Sequence, residues 1–166
     1  DELRRQRQMC IRDSLRAPDH AWLRPSRFIQ VTGDGIKKLS DIFVNFAKEK
    51  LKEEDEQKLE KYKNAPFRAP MIIILVSHIQ DHPKVPEIEQ VMSTAAAAQN
   101  ILLALKAINF AGMWRTGAFS LNDDITKYLG LDVDHRVLGY LYVGTPDGPD
   151  KKIPELDLDD FITKWD

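Results

Sequence analysis

The run Pro70-Met71-Ile72-Ile73-Ile74-Leu75-Val76-Ser77-His78-Ile79 constrains the fold more than any other part of the chain. Met71 to Val76 is apolar without interruption and mostly β-branched, with a proline before it and a polar, proline-containing loop after it. A half-buried strand alternates apolar and polar residues, and this one does not, so both of its faces must be covered. The run predicts a central buried strand with a layer on each side. It is far too short to cross a bilayer.

The surrounding segments supply those layers. Ser26 to Gly35 reads as a strand, with Phe28, Ile29 and Val31 apolar and Gly33-Asp34-Gly35 as a turn. Ile36 to about Tyr62 reads as one helix with Leu39, Ile42, Phe43 and Phe46 on one face. Its charged second half predicts a solvated surface on which Glu54 and Lys58 stand one turn apart. Ile88 to Ile108 holds Ala95 to Ala98 and then Ile101 to Leu105. Apolar nearly all round, it predicts a buried helix against which a second helix, from a partner subunit, packs closely. Asn122 reads as the N-cap of a short helix, with Asp123 and Asp124 at the positive end of its dipole and Gly130 closing it. His135 to Pro146 predicts another buried strand, and the tail carries Leu156, Leu158, Phe161 and Trp165, which need cover. Strands separated by helices of unequal length favour α+β over a doubly wound sheet.

Composition narrows the function. Lys+Arg 24 against Asp+Glu 26 gives a formal charge of -2, and no basic field points to nucleic acid. One domain accounts for 166 residues, and the opening residues show no apolar signal-peptide core. Cys10 is the only cysteine, which excludes an internal disulfide and a cysteine metal cage and fits a reducing, cytoplasmic setting. No phosphate-binding glycine motif and no nucleophile elbow occurs. His20, His78, His82 and His135 lack metal-ligand spacing: His78 and His82 straddle a strand end and a loop, so no metal site is expected. If the chain is an enzyme, an organic cofactor carries the chemistry.

Two stretches carry most of the chemical information. Leu15 to His20 sets Arg16 and His20 four apart around Pro18-Asp19; read plainly, it is a helix ending at the proline and then a polar turn. Asn109 to Gly117, "NFAGMWRTG", reads plainly as a helix end, a tight turn and a strand with a core Trp114 and a surface Arg115. Read with "RAPDH", "NAPFRAP", "HPKVPEIEQVMSTAAAA" and "LGYLYVGTP" in the same order, these motifs resemble the nitroreductase superfamily, specifically its small YdjA-type branch. The resemblance runs from about Arg16 to the C-terminus.

That resemblance implies an α+β fold with a mainly antiparallel sheet flanked by helices, and a homodimer with an FMN at each of two shared sites. It implies two-electron transfer from NADH or NADPH to a nitro compound, quinone or similar acceptor. The flavin contacts it implies are Arg16 and His20 from one subunit and Trp114, Arg115 and Thr116 from the other. The nicotinamide would lie along Ala104, Leu105, Lys106, Ala107, Ile108 and Asn109. The family opens with an Arg-Arg-Ser clamp for the FMN phosphate, whereas this chain has Arg4-Arg5-Gln6 only twelve residues before Arg16. Residues 1–14 therefore read as an atypical segment ahead of a domain spanning 15–166, and Arg4 and Arg5 are not assigned the clamp role. A non-catalytic relative, flavin-binding or empty, is the alternative in a different functional class.

Overall fold

A computed structural model describes residues 11–149 and 152–165, so Arg4, Arg5 and Cys10 lie outside the described residues. Four strands form one antiparallel sheet: β1 (Ser26–Thr32), β2 (Met71–His78), β3 (Ala111–Arg115) and β4 (His135–Gly144), in the spatial order β1-β2-β4-β3. The aliphatic run is the inner strand it was expected to be. Ile74 stands opposite Ile29 on one side and Tyr140 on the other, and Met71 to Ser77 are all buried.

Helices α1 (Asp34–Glu49) and α2 (Glu56–Asn64) stand in the stretch between β1 and β2. Helix α3 (Glu87–Ala107) follows β2, and the short α4 (Asp123–Tyr128) precedes β4. Each face of the sheet has its own core. Ile72, Ile74, Val76, Val137 and Tyr140 pack with Phe43 and Phe46 of α1; Met71, Ile73, Leu75, Leu138 and Leu141 pack with Ala98, Ile101 and Leu105 of α3. Successive residues of β2 feed opposite layers because strand side chains alternate. Each fully buried Leu, Ile or Val stabilises by ~1.5–3 kcal/mol relative to exposure. Among the described residues no helix is long and apolar enough to cross a membrane.

The single helix expected from Ile36 to Tyr62 is two. Residues 52–58 carry no apolar side chain, and the amides of Lys50 and Leu51 both donate to the Phe46 carbonyl. Lys52 then turns left-handed at φ 54, and the Asp55 carboxylate restarts the helix by accepting from the amides of Gln57 and Lys58. The break displaces the expected ion pair: Lys58 meets Glu53 at 3.2 Å instead of Glu54.

The α4 reading holds in detail. Asn122 caps it by accepting from the Asp124 amide, and Gly130 follows it at φ 71. Helix α3 keeps its expected span to within a residue at each end but is not buried all round. Gln90, Thr94, Ala97, Ala98, Ile101 and Leu105 face the sheet, whereas Ile88, Met92 and Leu103 are 60%, 61% and 60% exposed. A single layer of sheet can cover only one stripe of a helix. The tail residues Leu156, Leu158, Phe161 and Trp165 are likewise exposed.

Candidate functional site

The "NFAGMWRTG" segment folds as its plain reading requires. Helix α3 ends at Ala107, Asn109 turns left-handed at φ 60, and the Phe110 amide donates back to the Leu105 carbonyl at 2.9 Å. Strand β3 then sends Trp114 and Arg115 to opposite faces of the sheet. The Trp114 indole joins the α3 layer and donates to the Leu138 carbonyl at 3.2 Å. Room for it comes from a bulge: β2 pairs Val76 with Val137 but Leu75 with Gly139, leaving Leu138 as the extra residue. Gly139, at φ 142, leaves open the space the indole fills; a Cβ there would lie 2.3 Å from the indole nitrogen.

Arg115 goes the other way. Its guanidinium carbon stands 5.9 Å from the ring centre of Tyr142, a half-buried residue of β4. Burial raises the Tyr142 phenol above its ordinary value, and the positive charges of Arg115 and Arg68 offset only part of that rise. Arg68 ends the short 3-10 turn Ala65–Arg68 that leads into β2. The neighbouring Tyr140 hydroxyl, pushed upward by burial, donates to the Phe119 carbonyl at 2.7 Å and stays protonated. Around these groups lies an open hollow of about 560 Å³, lined among others by Lys61, Arg68, Arg115, Thr116 and Gly117. A second hollow of about 690 Å³ shares Arg68, Arg115 and Tyr142 and extends past Gly144 to Pro149. The main chain at Gly117 (φ 100) is open, since a Cβ added there would meet no atom within 4 Å. Three cationic side chains, a hydroxyl and that open main chain suit a large anionic ligand. A larger hollow, about 860 Å³, lies between α1 and α2; its charges are mixed and it contains none of the expected site residues.

The other expected residues lie elsewhere on the chain. The His20 Nδ1 meets the Glu89 carboxylate of α3 at 2.6 Å, and the Pro18 carbonyl accepts from the Ser93 hydroxyl. Arg16 is exposed, and residues 11–14 before it are helical. The turn after His20 is strained: Ala21, Trp22 and Arg24 take φ 58, 59 and 49, held in part by the Arg24 amide donating to Asp19. Neither Arg16 nor His20 lines the hollow formed by Trp114, Arg115 and Thr116. Of the stretch expected to hold nicotinamide, Leu105 is 2% exposed and belongs to the core, and none of Ala104 to Asn109 lines either Arg115 hollow. Arg68 was missed. It sits inside the quoted "NAPFRAP" motif, and an arginine directly before the central strand was the available signal.

Fold and site together define a class: an α+β domain presenting a cationic hollow beside an edge strand of its sheet. Residues 4–145 match the model of the Nitroreductase family, and the chain belongs to that family. It is 35% identical over 141 residues to YdjA of Escherichia coli (strain K12), which is named as a provisional NAD(P)H nitroreductase; the match covers 85% of this chain and 76% of that protein. The fold superposes on a nitroreductase-like family protein from Bacillus cereus with TM-score 0.83 at 20% identity, covering 97% of this chain and 84% of the other. The FMN- and NADPH-dependent nitroreductase NfnB from Sphigopyxis sp. strain HMH gives TM-score 0.71 at 17% identity, covering 98% and 89%.

Proposed function

We propose that the chain is an FMN-dependent oxidoreductase that passes two electrons from NADH or NADPH to a nitro compound, quinone or similar acceptor. The observation that carries this reading is the gathering of Arg115 and Arg68 around Tyr142 in one open hollow, within a chain of the Nitroreductase family. When bound, FMN supplies the hydride-accepting and electron-donating chemistry. The chain's own part is electrostatic and positional. Arg115 and Arg68 offset negative charge on the ligand, and the open main chain at Gly117 lets a ligand come close to the backbone. Trp114 serves through its backbone, since its indole is committed to the other face of the sheet.

The site is completed by a second copy of the chain. Arg16 and His20 lie apart from the Arg115 hollow within one chain, and a two-fold partner is the commonest means of joining such halves. The exposed Ile88, Met92 and Leu103 of α3, with the apolar tail, supply surface for that contact. Light scattering should give twice the 19.1 kDa chain mass, and a monomer mass would remove the shared site.

Flavin titration tests the whole reading. Arg115→Ala should weaken FMN binding by the worth of a charge-assisted contact, ~1.5–3 kcal/mol, or roughly ten- to a hundredfold. Arg68→Ala should act in the same direction. The purified protein should consume NADH or NADPH when given a nitroaromatic or quinone. Flavin bound without turnover would instead select the non-catalytic alternative, and unchanged FMN affinity in Arg115→Ala would remove that residue from the site.

A further inference from the structure

Two strand ends converge on a cluster that the oxidoreductase reading does not use. His78 is the last residue of β2 and His135 the first of β4, and the antiparallel register sets them directly opposite each other. Their rings stack with centres 4.9 Å apart and planes 21° from parallel. Asp134 immediately precedes His135, and its carbonyl is fixed by the Ile79 amide at 2.7 Å. The Asp134 carboxylate reaches both histidines: one oxygen lies 3.0 Å from His78 Nε2 and the other 2.8 Å from His135 Nδ1.

The second of these contacts is the informative one. Although 2.8 Å apart, Asp134 Oδ1 and His135 Nδ1 are misaligned for a hydrogen bond; both atoms are buried and neither has a hydrogen-bond partner among the described residues. A carboxylate oxygen and an imidazole nitrogen this close, buried and without a hydrogen bond suit a shared cation. One donor atom from each of His78, Asp134 and His135 lies within 4.8 Å of the others. Two donors bound at ~2.1 Å to one ion stand about 3.0–3.4 Å apart at octahedral to tetrahedral angles. The 3.0 Å and 2.8 Å contacts lie near that range through different oxygens of the carboxylate, and the full set lies within 4.8 Å, so the side chains draw together slightly on binding. The side chains of His78, Asp134 and His135 are 28%, 45% and 17% exposed, so an ion has a path in and water can complete its coordination.

We propose that His78, Asp134 and His135 form a binding site for a divalent transition ion of the zinc and cobalt class. Two imidazoles and one carboxylate suit that class better than magnesium or calcium, which take all-oxygen sets. The geometry is backbone-fixed, because register and not a flexible loop opposes the two histidines. The bound ion would pin the open ends of β2 and β4 together.

One group opposes binding. An Arg27 guanidinium nitrogen lies 3.5 Å from His78 Nδ1, while its other terminal nitrogen donates to the Arg24 and Ser26 carbonyls. When Nε2 of His78 binds the ion, Nδ1 must carry the proton, so the Arg27 contact has to release. Arg136 points away, its guanidinium held by Glu87 and by the Val133 and His135 carbonyls.

The full chain, stripped with a chelator, is titrated with Zn²⁺ by calorimetry and with Co²⁺ by its visible ligand-field absorption. One ion should bind per chain. His135→Ala, His78→Ala and Asp134→Asn should each weaken it at least tenfold, since even outer-shell changes cost ten- to a hundredfold. Arg27→Gln, which replaces a donor with a group able to accept from Nδ1–H, should tighten it. Cys10→Ser and His82→Ala should leave affinity unchanged. Metal-free melting of Asp134→Asn at the parent temperature shows that its loss is one of ligation and not of folding. Absence of saturable binding overturns the site, as does affinity indifferent to Asp134→Asn and His135→Ala, or affinity lost with Cys10→Ser.

Discussion

Gly139→Ala should be among the most damaging single-methyl changes available to this chain. The residue sits at φ 142, and an added Cβ would lie 2.3 Å from the Trp114 indole nitrogen, 2.7 Å from the Arg115 carbonyl and 2.8 Å from a second indole atom. Three costs combine. A non-glycine residue at positive φ loses ~1–2 kcal/mol, and overpacking a filled site costs ~1–3 kcal/mol. Displacing the indole from the Leu138 carbonyl loses a hydrogen bond of ~0.5–1.5 kcal/mol. These terms overlap, so a total of about 3–5 kcal/mol is expected. For a domain of this size each kcal/mol lowers Tm by ~2–4 °C, giving a fall of about 6–20 °C. Gly130→Ala is the control, because Gly130 also has positive φ (71) but nothing within 4 Å of the added methyl. It should show only the backbone cost. Thermal melts followed by circular dichroism and by tryptophan emission would compare the two. If both variants fall by the same amount, the clash with Trp114 and Arg115 is not what holds glycine at position 139.

Asp55→Ala should remove the cap that restarts the chain into α2 and cost ~0.5–2 kcal/mol, read as a lower urea midpoint with an unchanged slope. The Tyr128 hydroxyl donates to the Glu49 carboxylate, and that bond first, with desolvation and the Glu49 charge behind it, pushes the phenol up to about 12 from 10.0. Its folded value exceeds its unfolded one, so the contribution is fully present below pH 10 and is lost as pH rises through about 12. Tyr128→Phe should therefore be less stable than the parent at neutral pH, with the gap closing in alkaline melts between those values. A gap that stays constant across that range would show that the hydroxyl contributes nothing through its proton.

Elements whose signal is local were legible. The bounds of β2, α3 and β4, the Asn122 cap and the Asn109 turn follow from apolar runs, from short polar side chains that accept backbone amides, and from left-handed backbone. The split of the long helix was missed because the stretch after Leu51 is rich in good helix formers; only the Asp55 cap marks the break, and a capping aspartate looks like any other acid inside a charge run. The exposed face of α3 was missed because composition records how apolar a helix is but not how many layers surround it. Around the candidate hollow, Arg115 and Thr116 are the residues the resemblance points to, whereas Arg68 reaches the same hollow from a turn almost fifty residues upstream through the pairing of β2, β4 and β3. The His78, Asp134 and His135 cluster shows the same limit. Ligand spacing along the chain is uninformative when sheet register does the gathering.

The two cores on either face of the sheet have a consequence for how the chain can change. Ile72, Ile74 and Val76 of β2 look toward α1, while Met71, Ile73 and Leu75 look toward α3, with only the strand backbone between them. The sheet is therefore a party wall between two compartments. Substitutions on the α3 side should combine additively with those on the α1 side, since neither set shares partners with the other. Arg115 and Tyr142 open on the α1 side, whereas Trp114 and the exposed stripe of α3 belong to the other compartment. Side chains around Arg115 and Tyr142 can thus vary separately from the exposed stripe of α3, with β3 the one short strand that has to satisfy both compartments.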